Sequence, residues 1–194
     1  MQDSDAAVIA RAQAGDKDAF RLLVERYSRA VYRLAYRMTG NQQDAEDIVQ
    51  ETFLRAYKQI HRYESRSAFC TWIYRIASNC AIDLLCFRKR YEADREQIDV
   101  IDFERSEAVA AGAAQVPAQD RLVYAAELKR RVAAVMAEMS PQEKMAFVLR
   151  HLEGQSIEEI GAALGTGPSA TKNSIFRAVQ KLRKGLEPVM SSLR

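Results

Sequence analysis

The segment MSPQEKMAFVLRHLEGQSIEEIGAALGTGPSATKNSIFRAVQKLRK, residues 139–184, decides the fold. Ser140, Pro141 and Glu143 stand as N-cap, first-position proline and third-position acid of a capping box. Met145, Val148, Leu149 and Leu152 follow at helical spacing. Gly154 stops that helix, and Ser156 with Glu159 repeats the box ahead of IEEIGAALG. Gly165, Thr166 and Gly167 make a tight turn, and Pro168 suits the first position of a last helix reaching about residue 184. Ile175, Ala178, Val179 and Leu182 supply the buried side of that helix, while Lys172, Arg177, Lys181, Arg183 and Lys184 make it basic. No acid occurs between Glu159 and Glu187. A short helix, a glycine turn of about three residues and a basic second helix predict a helix-turn-helix that lies on duplex DNA. If its cations meet phosphates, affinity falls with salt at a slope near −0.9 per contact, an order-of-magnitude expectation.

Upstream, residues 121–139 predict another amphipathic helix, with Leu122, Ala125, Leu128, Val132, Val135 and Met139 on its apolar face. Before it lies the strip 91–120, YEADREQIDVIDFERSEAVAAGAAQVPAQD, which has no sustained helical period and reads as an acidic flexible linker. Charge divides accordingly: residues 1–90 carry 15 basic and 11 acidic side chains, residues 91–120 carry 2 and 8, and residues 121–194 carry 12 and 7. The net charge of +3 is therefore a cancellation between two basic blocks and an acidic strip.

Almost all of the N-terminal block repeats at helical spacing. Phe20, Leu23, Val24, Tyr27, Val31, Leu34, Ala35 and Met38 form one stripe between the stops Gly15 and Gly40. Asn41 is placed to cap the next helix, whose apolar set is Ile48, Val49, Phe53, Ala56, Tyr57 and Ile60. A third helix is predicted over residues 68–87, burying Phe69, Trp72, Ile73, Ile76, Ala77, Cys80, Leu84 and Leu85. Thr71, Arg75, Ser78, Asn79 and Ile82 are expected on its opposite side. Arg88, Lys89 and Arg90 close it in a basic cluster that the helix macrodipole favours by itself. In the preceding loop His61, Arg62, Tyr63 and Arg66 stand close to Phe69 and Trp72, and aromatics interleaved with cations are what a single-stranded nucleic acid needs, although both rings also fit a core.

Three segments, DAEDIVQETFLRAYKQI, FCTWIYRIASNCAIDLLCFRKR and MSPQEKMAFVLRHLEGQSIEEIGAALG, occur in this order. Together they closely resemble bacterial RNA polymerase sigma factors of the extracytoplasmic-function group, over nearly all of the chain outside the linker. The resemblance implies an all-α fold of two small helical domains. Residues 1–90 are expected to form a region-two domain that binds core polymerase and recognises and melts the minus-ten element. Residues 121–194 are expected to form a region-four domain that reads the minus-thirty-five element. By the same resemblance Asp47, Gln50 and Glu51 contact the core enzyme. Tyr63, Ser65, Arg66, Ser67, Phe69, Trp72 and Asn79 form the single-strand site, and Arg88, Lys89 and Arg90 bind duplex phosphates. Lys172, Asn173, Phe176, Arg177 and Lys181 meet the minus-thirty-five element. The implied partners are the polymerase core through its beta-prime clamp helices and beta flap, promoter DNA, and an anti-sigma factor. The recognition helix departs from the family's usual Gly-Thr-Val-Lys-Ser-Arg, reading Ser169, Ala170, Thr171, Lys172, Asn173, Ser174. That departure bears on promoter sequence and leaves DNA binding as expected.

Composition limits the rest. The 194 residues are 48% hydrophobic, yet apolar runs are far shorter than the roughly 20 residues a bilayer span needs, so no membrane span or secretory signal is expected. Cys70, Cys80 and Cys86 are odd in number and lack C-x-x-C spacing, which suits a reducing cytoplasm better than a disulfide framework or zinc site. With no nucleotide-binding loop, metal cluster or nucleophile–base pair, neither cofactor nor catalysis is expected. Two rivals remain at this stage: a helix-turn-helix regulator acting without polymerase, and an adaptor that only titrates an anti-sigma factor.

Overall fold

A computed structural model describes residues 3–65, 67–92 and 118–191. Among them the chain is all-α: α1 (Asp3–Gln13), α2 (Lys17–Thr39), α3 (Gln42–Gln59), a 3-10 turn (Ile60–Arg62), α4 (Phe69–Glu92), α5 (Ala118–Ala137), α6 (Pro141–His151), α7 (Ile157–Leu164) and α8 (Pro168–Ser191). Most of the expected linker, residues 93–117, lies outside the described residues.

Local chemistry sets the helix ends. The Asp16 carboxylate accepts from the Ala19 N–H at 3.0 Å to start α2, and Gly40, at φ 69°, ends it in the left-handed region where a side chain would be strained. Asn41 then caps α3 through the Asp44 N–H at 3.0 Å. Both expected capping boxes are formed, at Ser140 with Glu143 and at Ser156 with Glu159. α1 has no counterpart in the sequence reading, because only Val8, Ile9 and Ala12 give it an apolar side. It is held from outside. Asp5 accepts from Tyr27 and pairs with Arg26, and the Gln13 amide donates to the carbonyls of Ile60 at 3.0 Å and Tyr63 at 2.7 Å.

The first bundle, α1–α4, buries Leu23, Val31, Leu34, Met38, Ile48 and Ile73, and the second, α5–α8, buries Met145, Val148, Leu149, Ile160 and Ala178. Each fully buried aliphatic side chain contributes about 1.5–3 kcal/mol. In the second bundle Gly185 lets α8 meet α5, since a Cβ there would overlap the Val135 methyl at 2.1 Å. The bundles also pack on each other, α6 and α7 resting on α2 and α4.

That packing corrects two expectations. Thr71 and Ser78, expected opposite the buried stripe of α4, are 5% and 0% exposed; α7 packs on α4, and the Thr71 hydroxyl donates to Glu159 at 3.2 Å. Tyr57, expected in the apolar stripe of α3, is 46% exposed and meets Phe20 edge-on at 5.0 Å. α4 and α8 also run further than expected, to Glu92 and Ser191.

Candidate nucleic-acid and protein interfaces

The helix-turn-helix is built by α7, its turn and α8. Gly165 sits at φ 64° with its N–H on the Gly161 carbonyl, reversing the chain within one residue. Gly161 itself must lack a side chain: a Cβ would stand 2.7 Å from the Thr166 carbonyl oxygen and 3.3 Å from the Thr171 hydroxyl. Thr171, 1% exposed, locks the turn by donating to the Gly167 carbonyl at 3.1 Å while lying 2.9 Å from the Thr166 hydroxyl. Ala178 is buried beneath, and Lys172, Asn173, Phe176 and Arg177 face outward on one side of α8. Phe176 is 62% exposed, an unusual position for a phenylalanine unless something covers it. Arg177 and Lys181 both reach Glu143 of α6, Arg177 at 2.9 Å, but Lys181 is the more covered of the two. Its ammonium donates to Glu143 at 2.8 Å and to the Glu138 carbonyl at 3.3 Å.

The loop before α4 is closed by its own aromatic cluster. Tyr63, Phe69 and Trp72 stack edge-on or tilted, with centroids 5.3–5.5 Å apart. Tyr63 and Phe69 are 7% and 4% exposed, whereas Trp72 is half-buried. The Tyr63 hydroxyl donates to the Ser67 carbonyl at 2.6 Å and so ties both ends of the loop. Ser65 has φ 55° at its tip, and Ser65 and Ser67 are exposed. Arg66 lies outside the described residues. Asn79, expected opposite the stripe that holds Trp72, is exposed two turns beyond Trp72 on the same side of α4, and Trp72 itself packs on Tyr63 of the loop. At the far end of α4, Lys89 and Arg90 are exposed, but Arg88 pairs with the buried Asp44 at the start of α3.

On α3 the exposed residues Asp47, Gln50, Leu54 and Tyr57 recur every three or four positions and form one face. Leu54 is 49% exposed, and Leu22 of α2 is 41% exposed. A cleft beside this face is lined by Ser28, Arg29, Tyr32, Glu46, Val49 and Gln50. Glu51 is half-buried and pairs with Arg55 at 2.5 Å. Leu54 and Tyr57 are not among the core-binding residues that the resemblance implies; Leu54 lies outside the apolar stripe at an otherwise polar position.

Glu153 occupies the junction of the two bundles, its side chain 4% exposed. It pairs with Arg37 and, at 3.6 Å, Arg33, and accepts from the Tyr74 hydroxyl at 2.8 Å. Burial, then the Glu153 charge, pushes the Tyr74 phenol far up, so it stays protonated as a donor. Burial also raises the Cys70 and Cys80 thiols, which disfavours their reactive thiolates. Among the described residues no group of three His, Cys, Asp or Glu is placed to hold a metal ion, and no helix is long and apolar enough to cross a membrane.

Comparison with known proteins follows the same division. Residues 23–91 match the family model Sigma-70 region 2, and residues 129–182 match Sigma-70, region 4. The chain is 35% identical over 189 residues to the ECF RNA polymerase sigma-E factor of Haemophilus influenzae, covering 97% of this chain and 98% of that one. It is 31% identical over 191 residues to the RNA polymerase sigma-H factor of Pseudomonas aeruginosa, covering 97% of each. Among solved structures, CnrH in complex with the cytosolic domain of CnrY aligns with a TM-score of 0.64 at 25% identity, over 95% of this chain and 97% of that one. The sigma factor RpoE of Bartonella quintana, in complex with the anti-sigma factor NepR, shares the fold at a TM-score of 0.63 and 19% identity, over 87% and 96% of the respective chains.

Proposed function

The chain belongs to the extracytoplasmic-function sigma factors and is a promoter-specificity subunit of RNA polymerase; from that premise we propose which of its surfaces does what. The observation that carries the assignment is the outward face of α8, where Lys172, Asn173, Phe176 and Arg177 stand together on a rigid helix-turn-helix. These four read the minus-thirty-five duplex, arginine or lysine by guanine edges and asparagine by adenine. The loop of residues 63–68 with Phe69, Trp72 and Asn79 takes a flipped base of the minus-ten strand. Within it Tyr63 holds the loop shape through Ser67, Phe69 floors it, and half-buried Trp72 is the ring a base can reach. Lys89 and Arg90, with Arg88 anchored on Asp44, meet phosphates upstream of the melted segment.

Core polymerase docks on α3. Asp47, Gln50 and Glu51 supply the polar contacts to the beta-prime clamp helices, with Leu54 and Tyr57 as apolar anchors, and the second bundle engages the beta flap. The subunit is cytoplasmic and non-catalytic, so melting is driven by binding. Each opened base step costs about 1.4 kcal/mol of stacking, and a base stacked on an aromatic returns about 1–3 kcal/mol. One accessible ring therefore offsets roughly one step, which makes opening strictly dependent on promoter sequence. The family relation also supports an anti-sigma partner, since relatives of this fold are solved with CnrY and with NepR.

In vitro transcription with core polymerase, followed by mapping of the selected promoters, tests the whole assignment. Trp72→Ala and Asn79→Ala should cut transcription from a linear promoter at least tenfold while sparing core binding. Leu54→Glu should abolish core binding. Tyr63→Phe should weaken loop closure by about 1 kcal/mol, read as a lower melting temperature, with a smaller loss of transcription than Trp72→Ala. Wild-type transcription by the Trp72 and Asn79 variants would refute the single-strand site.

A further inference from the structure

The recognition helix faces an acid that the sequence places in another role. Glu143 is the third residue of α6 and closes a capping box by accepting from the Ser140 N–H at 3.1 Å. The same carboxylate also reaches α8. Its Oε2 accepts from the Lys181 ammonium at 2.8 Å, and its Oε1 pairs with Nε of Arg177 at 2.9 Å. Glu143 is only 7% exposed, so water screens these pairs little on its side. Burial opposes its ionisation, but Lys181, the Ser140 N–H and Arg177 together hold the carboxyl below the usual range, and it is charged at neutral pH.

The two cations are held differently. Lys181 is drawn back toward α6, its ammonium shared between Glu143 and the Glu138 carbonyl, and its side chain is 39% exposed. Arg177 forms an ion pair with the acid, Nε to Oε1 at 2.9 Å, and keeps its side chain 61% exposed. A guanidinium held by a charge beside Nε leaves its terminal nitrogens as a planar fork, the geometry that reads a guanine edge bidentately. Arg177 lies one turn from Asn173 and next to Phe176, so the fork joins the outward face of α8.

We propose that Glu143 is a positioning residue for promoter reading: it orients the Arg177 fork toward the base edges and withdraws Lys181 from the phosphates, exchanging non-specific affinity for sequence discrimination. The inference rests on the assignment of α8 to duplex DNA. It adds that α8 presents fewer cations to phosphate than its sequence suggests.

Glu143→Gln is the informative variant, because glutamine also closes a capping box and differs only in charge and one donor. Full-length protein bound to core polymerase is titrated with the duplex it selects from a random library and with a scrambled duplex, between 50 and 300 mM KCl. Glu143→Gln should bind the scrambled duplex more tightly, steepen the salt slope by about 0.9 for each cation released, and lose discrimination by about tenfold. Lys181→Ala should flatten the slope by about 0.9 in the Glu143→Gln background and by much less in the wild-type background. Arg177→Lys should lose discrimination as Glu143→Gln does, because an ammonium cannot offer the fork.

The proposal is overturned if Lys181→Ala changes the slope equally in both backgrounds. It is also overturned if Glu143→Gln, melting like wild type, keeps both slope and discrimination. If Glu143→Gln folds poorly, the surface variants Arg177→Lys and Lys181→Ala still decide: an unchanged preference with Arg177→Lys, or a full flattening with Lys181→Ala alone, refutes it. A wild-type holoenzyme that binds both duplexes alike, with a slope that Lys172→Ala does not alter, overturns the α8 assignment itself and this inference with it.

Discussion

Lys144 neighbours Glu143 in the first turn of α6, yet it is 7% exposed, and burial alone pushes its ammonium down from 10.5 to about 8. For a lysine that direction means the fold disfavours the charged form. Between pH 8 and 10.5 the unfolded chain holds a proton that the native chain has released, so this group makes stability rise with pH across that window. Below pH 8 both states are protonated and the penalty is present in full. Lys144→Met should therefore stabilise the protein at pH 7, by on the order of 2 kcal/mol, and the gain should shrink toward zero by pH 10.5. Urea unfolding of both proteins at pH 7, 8.5 and 10 measures it, and a constant difference would show that Lys144 is not the titrating group. The charge was readable in the sequence; its burial was not, since a lysine in a first turn reads as a solvated residue.

At the scale of elements, the helix-turn-helix depends on how closely α7 approaches its own turn. Gly161 stands mid-helix, where glycine is unfavourable by about 1 kcal/mol relative to alanine, so propensity alone favours replacing it. The 2.7 Å approach of a Cβ to the Thr166 carbonyl reverses that expectation. Gly161→Ala should destabilise the second bundle by about 1–3 kcal/mol and lower duplex affinity, as a thermal melt and a binding titration would record. An unchanged or raised melting temperature would mean the turn can give way. α1 marks the opposite case. Its sequence carries little signal, and tertiary hydrogen bonds from Gln13 and to Asp5 hold it in place. The α3 face lies between: capping and stripe were legible, whereas the outward placement of Tyr57 depends on where Phe20 of α2 sits.

For the whole molecule, the contact between bundles is polar at its centre. Glu153 is buried between Arg37, Arg33 and the Tyr74 hydroxyl, with the Thr71 to Glu159 hydrogen bond nearby. Removing one partner of a buried pair costs about 3–5 kcal/mol, chiefly because the other charge is left uncompensated, although Arg33 at 54% exposure can return to water. Glu153→Ala should accordingly loosen the packing of α6 and α7 on α2 and α4 while each bundle stays folded. Small-angle scattering should then report a larger radius of gyration and calorimetry a separation into two transitions. A single unchanged transition would place the strength of the interface in its apolar contacts.

The sequence by itself determined every helix but α1, the stops at Gly40, Gly154 and Gly165, both capping boxes, the helix-turn-helix and the division of charge, and its three motif segments carried the family resemblance. These features rest on interactions within about four residues, such as Ser140 with Glu143 or Asn41 with the Asp44 N–H, so periodicity and capping chemistry expose them. Only the tertiary structure decided that Thr71 and Ser78 are covered, that Tyr57 is exposed, and that Glu143 serves Arg177 and Lys181 as well as its own cap. It alone brought Glu153 to Arg37, 116 positions away. The physical reason is range: a cap is satisfied by its own turn, whereas a buried charge finds its partner only after separate helices have packed.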